Sequence, residues 1–148
     1  MTTTSRWPWP VVINLGMGVD SVATLTRWIY EPDTRNFDLG QLTVVTAMTG
    51  DEHADTAQAM TDHVLPVMRR HRLRYVQLSR GGQTAAAGVT VLSNTRRPDR
   101  MHMRGPWALS DELTTSGTLP PVARRACSQR AKGDVIDGIT GHGAAPAS

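Results

Sequence analysis

The sequence predicts an α/β fold in which a parallel sheet is linked by right-handed helical crossovers. Three observations predict it. Short β-branched runs alternate with amphipathic stretches of helical length, the pattern of successive βαβ units. The first run, Val11-Val12-Ile13-Asn14-Leu15, stops at the glycine-spaced turn Gly16-Met17-Gly18, and a helix opens at once. A second apolar run, Leu42–Met48, is likewise followed by a glycine and a helix-start cluster, Thr49-Gly50-Asp51-Glu52.

Taken in order, β-strand 11–15 leads to a helix over 20–30. Val22, Leu25, Trp28 and Ile29 fall on one face of that helix, and it stops before Pro32. A strand over 42–48 leads to a helix over 54–72, where Ala57, Met60, Val64, Val67 and Met68 form the apolar stripe. Those methionines read as packing, and Pro66 predicts a kink or an early stop. A third strand covers 74–78, and Val89-Thr90-Val91-Leu92 reads as a short strand. A polar loop at 94–106 and short helices at 107–113 and 122–131 follow. The pattern gives one domain, residues 1–137, and a flexible Gly/Ala-rich tail, 138–148. Trp7-Pro8-Trp9-Pro10 reads as an extended lid or packing arm ahead of the first strand.

The turn after the first strand carries the first chemical signal. Backbone N–H groups exposed at a helix N-terminus, aided by the peptide dipoles, favour a phosphate. Gly16 and Gly18 let the backbone approach an anion closely, and Asp20 and Ser21 are good helix-start residues. Ser21 can also donate to a phosphate oxygen. Gly16-Met17-Gly18-Val19-Asp20-Ser21 is one residue from the G-x-G-x-x-G of a dinucleotide site. The difference favours ATP with Mg²⁺ over NAD, because a carboxylate at Asp20 beside a pyrophosphate needs a cation between them.

Charge divides the chain. Residues 1–62 hold three arginines and eight carboxylates, whereas residues 63–148 hold thirteen cations and five carboxylates. Such an imbalance fits a polyphosphate ligand or nucleic acid. On Arg69, Arg70 and Arg72 it reads as a solvated helix end that complements the dipole. The single cysteine, Cys127, excludes an internal disulfide and an all-cysteine iron–sulfur site within one chain. No apolar run approaches a membrane span, so a cytoplasmic protein without membrane contact is expected.

The end of the second strand carries the next cluster. In open α/β sheets ligands bind beyond the carboxyl ends of the strands, the same edge that carries the glycine turn. Asp51 and Glu52 are placed there to hold Mg²⁺ or ribose hydroxyls, while Asp55 suits either that role or a helix cap. The five histidines have no convincing metal-ligand spacing. A third cluster, Arg124-Arg125-Ala126-Cys127-Ser128-Gln129-Arg130-Ala131-Lys132, sets four cations around a thiol and suits phosphate or sulfate.

These three segments together resemble the PP-loop superfamily, the adenine nucleotide alpha-hydrolase-like fold, and within it the phosphoadenosine phosphosulfate reductase-like branch. Gly16–Ser21 resembles the S-G-G-x-D-S pyrophosphate loop, with Gly16 in place of its serine and Met17 in place of its first glycine. Thr49-Gly50-Asp51-Glu52 with Thr56 resembles the D-T-G-x-x-x-x-E-T block, and Arg125–Lys132 resembles the R-x-C-[ST]-x-x-x-K block.

The resemblance implies a three-layer α/β/α sandwich with a five-stranded, mostly parallel sheet. It implies that Gly16, Gly18, Val19, Asp20 and Ser21 surround the phosphates of ATP or a related adenine nucleotide. Asn14, Leu15, Ala47 and Met48 then lie near adenine and ribose, and Arg125 near the anionic end. Asp20, Asp51 and Lys132 are the implied catalytic residues, with Asp51 and Glu52 as Mg²⁺ ligands.

The implied activity is cleavage of ATP between the α and β phosphates to adenylate or modify a substrate, in sulfur transfer or nucleic-acid modification. The alternative is a non-catalytic adenine-nucleotide-binding subunit that docks nucleic acid or a protein. Sulfonucleotide reduction is not expected, because the E-C-G-L-H segment of the true reductases is absent, and no iron–sulfur cluster is expected. The chain ends soon after the R-x-C block, where relatives continue, so a homodimer or a partner subunit is expected.

Overall fold

A computed structural model of the chain describes residues 11–117 and 132–140. It is an α/β structure with one four-stranded mixed sheet in the order β1-β2-β3-β4. The strands are β1 Val11–Asn14, β2 Leu42–Met48, β3 Arg74–Arg80 and β4 Val89–Thr95. The first three are parallel, with Val11 opposite Leu42 and Thr43 opposite Arg74. β4 is antiparallel to β3, with Arg80 opposite Val89 and Tyr75 opposite Thr95. Among the described residues four strands stand where five are expected, and two of the three pairings are parallel while β4 runs antiparallel. The reason for the direction is chain length. Residues 81–88 hold only a short 3₁₀ turn, Ala85–Ala87, and a parallel connection needs a dozen or more residues.

β1 connects to β2 through helix α1, Val19–Tyr30, whose N-cap is Gly18. Leu25 and Ile29 are its buried face, each contributing roughly 1.5–3 kcal/mol by leaving water. β2 connects to β3 through α2, Ala54–Ala59, a π turn, Met60–Val64, and α3, Leu65–Arg70. The π turn is how the chain accommodates Pro66. Proline brings no N–H and its ring presses on the preceding turn, so the helix widens just before it and then resumes.

Both crossovers pack on one face of the sheet, where Leu25, Ile29, Met60, Leu65 and Met68 meet Ile13, Val44 and Tyr75. The other face, with Val45, Ala47, Val76 and Leu78, is covered by Val135 of α5, Asp134–Thr140. That helix includes residues 138–140, which the sequence assigns to the tail.

After β4 the chain turns back along β3. Arg69 donates to the Pro98 carbonyl (2.7 Å), and the buried Gln77 amide donates to Arg100 O and accepts from His102 N–H. Gly105 then lies against Ser79, so closely that a Cβ there would stand 1.8 Å from the serine Oγ. This return delivers α4, Leu109–Ser116, to the carboxyl end of β2. The Trp-Pro arm, the 122–131 segment with Arg125 and Cys127, and most of the tail lie outside the described residues.

Candidate functional site

The carboxyl ends of β1 and β2 are adjacent strand ends, about 4.8 Å apart in a sheet, and the sequence-predicted residues divide between them. At β1, Leu15 N–H still donates to Val45 O (2.8 Å), which extends the ladder by one residue before the turn begins. The Leu15 carbonyl is fixed as well. It accepts from the Thr46 hydroxyl at 2.8 Å, which in turn accepts from the Tyr75 hydroxyl at 2.9 Å. Three strands are therefore tied together just beneath the turn. Burial pushes the Tyr75 hydroxyl up to about 12, partly opposed by its hydrogen bond to Thr46.

Beyond Leu15 the backbone opens. Met17 adopts a left-handed conformation, φ 62°, at the position where the pyrophosphate loop carries a glycine. Its side chain packs onto the core and holds the turn down. Added Cβ atoms on Gly16 and Gly18 would meet nothing within 4 Å, so the peptide there faces open space. Val22 N–H returns to Gly18 O, while the N–H groups of the first turn of α1 have no partner in the helix itself.

Val19 and Asp20 are exposed, as is Asn14 at the end of β1. The Ser21 hydroxyl donates to Gly18 O (3.1 Å), so its proton is engaged within the turn and does not point to the outward donor role expected of it.

At β2, Thr49 Oγ1 donates to Glu52 Oε1 (3.1 Å), and Lys132 Nζ lies 3.5 Å from the same oxygen. Asp51 Oδ2 accepts from the backbone N–H of Ser110 at 2.7 Å, and Thr49 O accepts from Leu109 N–H at 2.8 Å. Asp51 thus satisfies an N-terminal donor of α4 from across the fold. The helix's own Asp111 takes Ala108 N–H (2.8 Å) and pairs with Arg104 at 3.2 Å. Gly50 makes this docking possible. It has φ +86°, and a Cβ would stand 2.6 Å from the Ala108 Cβ. A largely buried ion pair, Arg80–Glu112, closes the far side of α4.

The structure therefore brings Asn14, Gly16, Gly18, Val19, Asp20 and Ser21 to one strand end and Asp51, Glu52 and Lys132 to the next. Leu15, Ala47 and Met48 sit at those ends but are buried, so only their backbones can face a ligand. Asp55 lies exposed in the first turn of α2, whose N-cap is His53, so it acts there as a dipole partner and not as the cap.

The docking of the α4 N-terminus on Thr49 and Asp51 is not among the sequence expectations. The local cue for it is Gly50, a glycine that no strand-to-helix turn requires by itself. Among the described residues, no group of three or more His, Cys, Asp or Glu side chains could hold a metal ion. No helix among them is long and apolar enough to cross a membrane. No family model, curated protein or solved structure matches the chain.

Proposed function

We propose that the chain binds an adenine nucleotide, ATP with Mg²⁺, at the carboxyl ends of β1 and β2, and that it is a PP-loop-like enzyme cleaving ATP between the α and β phosphates. The observation that carries this reading is the turn at 16–18. It is an open backbone on a pinned strand end, leading into a twelve-residue helix whose first N–H groups are free of helical partners. Such a turn suits a phosphate by hydrogen bonding and by the dipole together.

Asp20 is the exposed carboxylate beside that turn, suited to a cation that already carries phosphate ligands. Mg²⁺ commonly uses only one or two carboxylates in this setting. When bound, it would neutralise charge on the leaving pyrophosphate. Lys132, held near Glu52, is the cation of the adjacent strand end, positioned to draw the anionic end of the substrate. Arg125 is proposed for the same end. The acceptor belongs to sulfur transfer or nucleic-acid modification, and the reading implies a cytoplasmic protein working as a homodimer or with a partner subunit. A fifth strand, as in the PP-loop sandwich, belongs to this proposal too.

One observation favours a second reading, a nucleotide-binding subunit without chemistry. Asp51 is committed to Ser110 N–H, and Glu52 to Thr49 and Lys132, so both proposed Mg²⁺ ligands already have protein partners.

Calorimetric titration with ATP, AMP and NAD, with and without Mg²⁺, followed by a pyrophosphate assay, separates the readings. The enzyme reading predicts Mg²⁺-dependent ATP binding with pyrophosphate release. It also predicts that Asp20→Ala lowers release by about 100-fold or more, the scale of one lost electrostatic contact at a transition state. Binding without release selects the subunit. Binding of NAD alone rejects both.

A further inference from the structure

We infer that the opposite end of the sheet, at the amino ends of β2 and β3, is a binding surface for single-stranded nucleic acid. The fold gathers there two segments distant in sequence, 69–74 and 94–100, which together carry seven arginines and one carboxylate, Asp99. Three of the arginines hold the segments together. Arg69 donates to Pro98 O, Arg74 to the Asn94 side chain (2.8 Å), and Arg96 to Arg72 O and Gly40 O.

The other four, Arg70, Arg72, Arg97 and Arg100, are exposed, and none pairs with a carboxylate among the described residues. Of the four arginines elsewhere among the described residues, Arg27, Arg80 and Arg104 have an acidic partner and Arg35 donates to the Trp28 and Phe37 carbonyls. An unbalanced guanidinium surface on a frame built by other arginines suits repeated phosphates, which the planar fork binds bidentately.

One more feature favours a nucleic acid over other polyanions. Tyr30, 53% exposed at the end of α1, meets the His71 ring at right angles, with ring centroids 5.7 Å apart. His71 lies between Arg70 and Arg72, so an exposed aromatic ring borders the basic surface. Backbone cations beside an aromatic platform are what an unpaired strand needs, phosphate for the one and a base for the other. A membrane surface fits less well. Among the described residues the other large exposed apolar side chains, Val12, Val19 and Val91, are on β1, at the start of α1 and on β4. The surface lies at the opposite end of the parallel strands from the nucleotide turn, so the inference stands apart from the proposed ATP chemistry.

The test is fluorescence anisotropy of the full chain with a labelled 20-nucleotide oligodeoxythymidylate at several salt concentrations. The triple variant Arg70→Ala, Arg97→Ala, Arg100→Ala is expected to bind more weakly. Its slope of log K against log salt should be shallower by about 2, three contacts at roughly 0.7 each. Arg104→Ala, at the other end of the sheet, should leave the slope unchanged.

Tyr30→Ala should weaken binding roughly tenfold, the order of one lost base stack, without altering the slope, and Tyr30→Phe should restore it. Circular dichroism of each variant checks that the fold is kept. An unchanged slope in the triple variant overturns the inference, as does equal or tighter binding to polyglutamate or to phosphatidylserine vesicles. A duplex of the same length that binds as tightly, and is indifferent to Tyr30→Ala, overturns its single-stranded part.

Discussion

Replacing Gly50 with alanine is expected to destabilise the protein by about 3 kcal/mol and to lift α4 from the end of β2. Two costs combine. Gly50 has φ +86°, a backbone region that costs an L side chain roughly 1–2 kcal/mol. The new Cβ would also stand 2.6 Å from Ala108 Cβ and 3.1 Å from its Cα. Overpacking of that kind typically costs about 1–3 kcal/mol, because the backbone must shift.

The shift has a direction. Ala108 is the N-cap of α4, so moving it pulls Leu109 N–H from Thr49 O and Ser110 N–H from Asp51. Urea unfolding gives the stability change, and hydrogen exchange at Leu109 and Ser110 gives the local one. In the double variant Gly50→Ala, Ala108→Gly, the part due to the Cβ–Cβ collision should return and the part due to φ should remain. A neutral Gly50→Ala would mean that α4 does not rest on this turn. The same variant bears on the site, since Asp51 would lose its partner and become free for a cation.

What could be read from the sequence follows how local the physics is. The turn at 16–18 and the start of α1 were legible because strand, glycine and helix lie within a dozen residues and each has its own composition signal. That Asn14, Gly16, Gly18 and Asp20 lie at one strand end and Asp51 and Glu52 at the next was legible in the same way. Their contacts were not, because Asp51 reaches Ser110 across 59 residues of sequence and no periodicity records that. Lys132 against Glu52 is of the same kind.

Pro66 gave the right place for an irregularity but not its form. A proline excludes a regular hydrogen bond without saying whether the helix ends or widens, and the buried Met60, Leu65 and Met68 on both sides favour continuation. The direction of β4 was recoverable in principle from the eight residues between β3 and β4, too few for a crossover. Arg69, Arg70 and Arg72 read as a solvated helix end because 94–100 lies far away in the chain. Only the antiparallel return of β4 puts the two together.

Above pH 10 the protein is expected to lose about 3 kcal/mol of stability through one buried group. Tyr75 has an ordinary pKa of 10.0 and is pushed up to about 12 in the folded chain, chiefly by burial. Below pH 10 the hydroxyl is protonated in both states and the contribution is intact. Between pH 10 and 12 the unfolded chain releases the proton while the folded chain retains it, so unfolding is favoured progressively as pH rises. Past the folded pKa the loss is complete, at roughly 1.4 kcal/mol for each tenfold difference in proton affinity between the two states.

Tyr75→Phe should cost about 1 kcal/mol at pH 8, one hydrogen bond to Thr46, yet unfold less steeply with alkali. Urea midpoints for both proteins from pH 8 to 12 make the comparison, and their difference cancels the titration of every other group. Converging curves place the hydroxyl in a dry interior, where it supports the Thr46 bridge to Leu15 and so the strand end from which the turn at 16–18 springs. Parallel curves would mean that water reaches Tyr75. The tie across β1, β2 and β3 would then be open, and the turn at 16–18 would owe its position to Met17 packing alone.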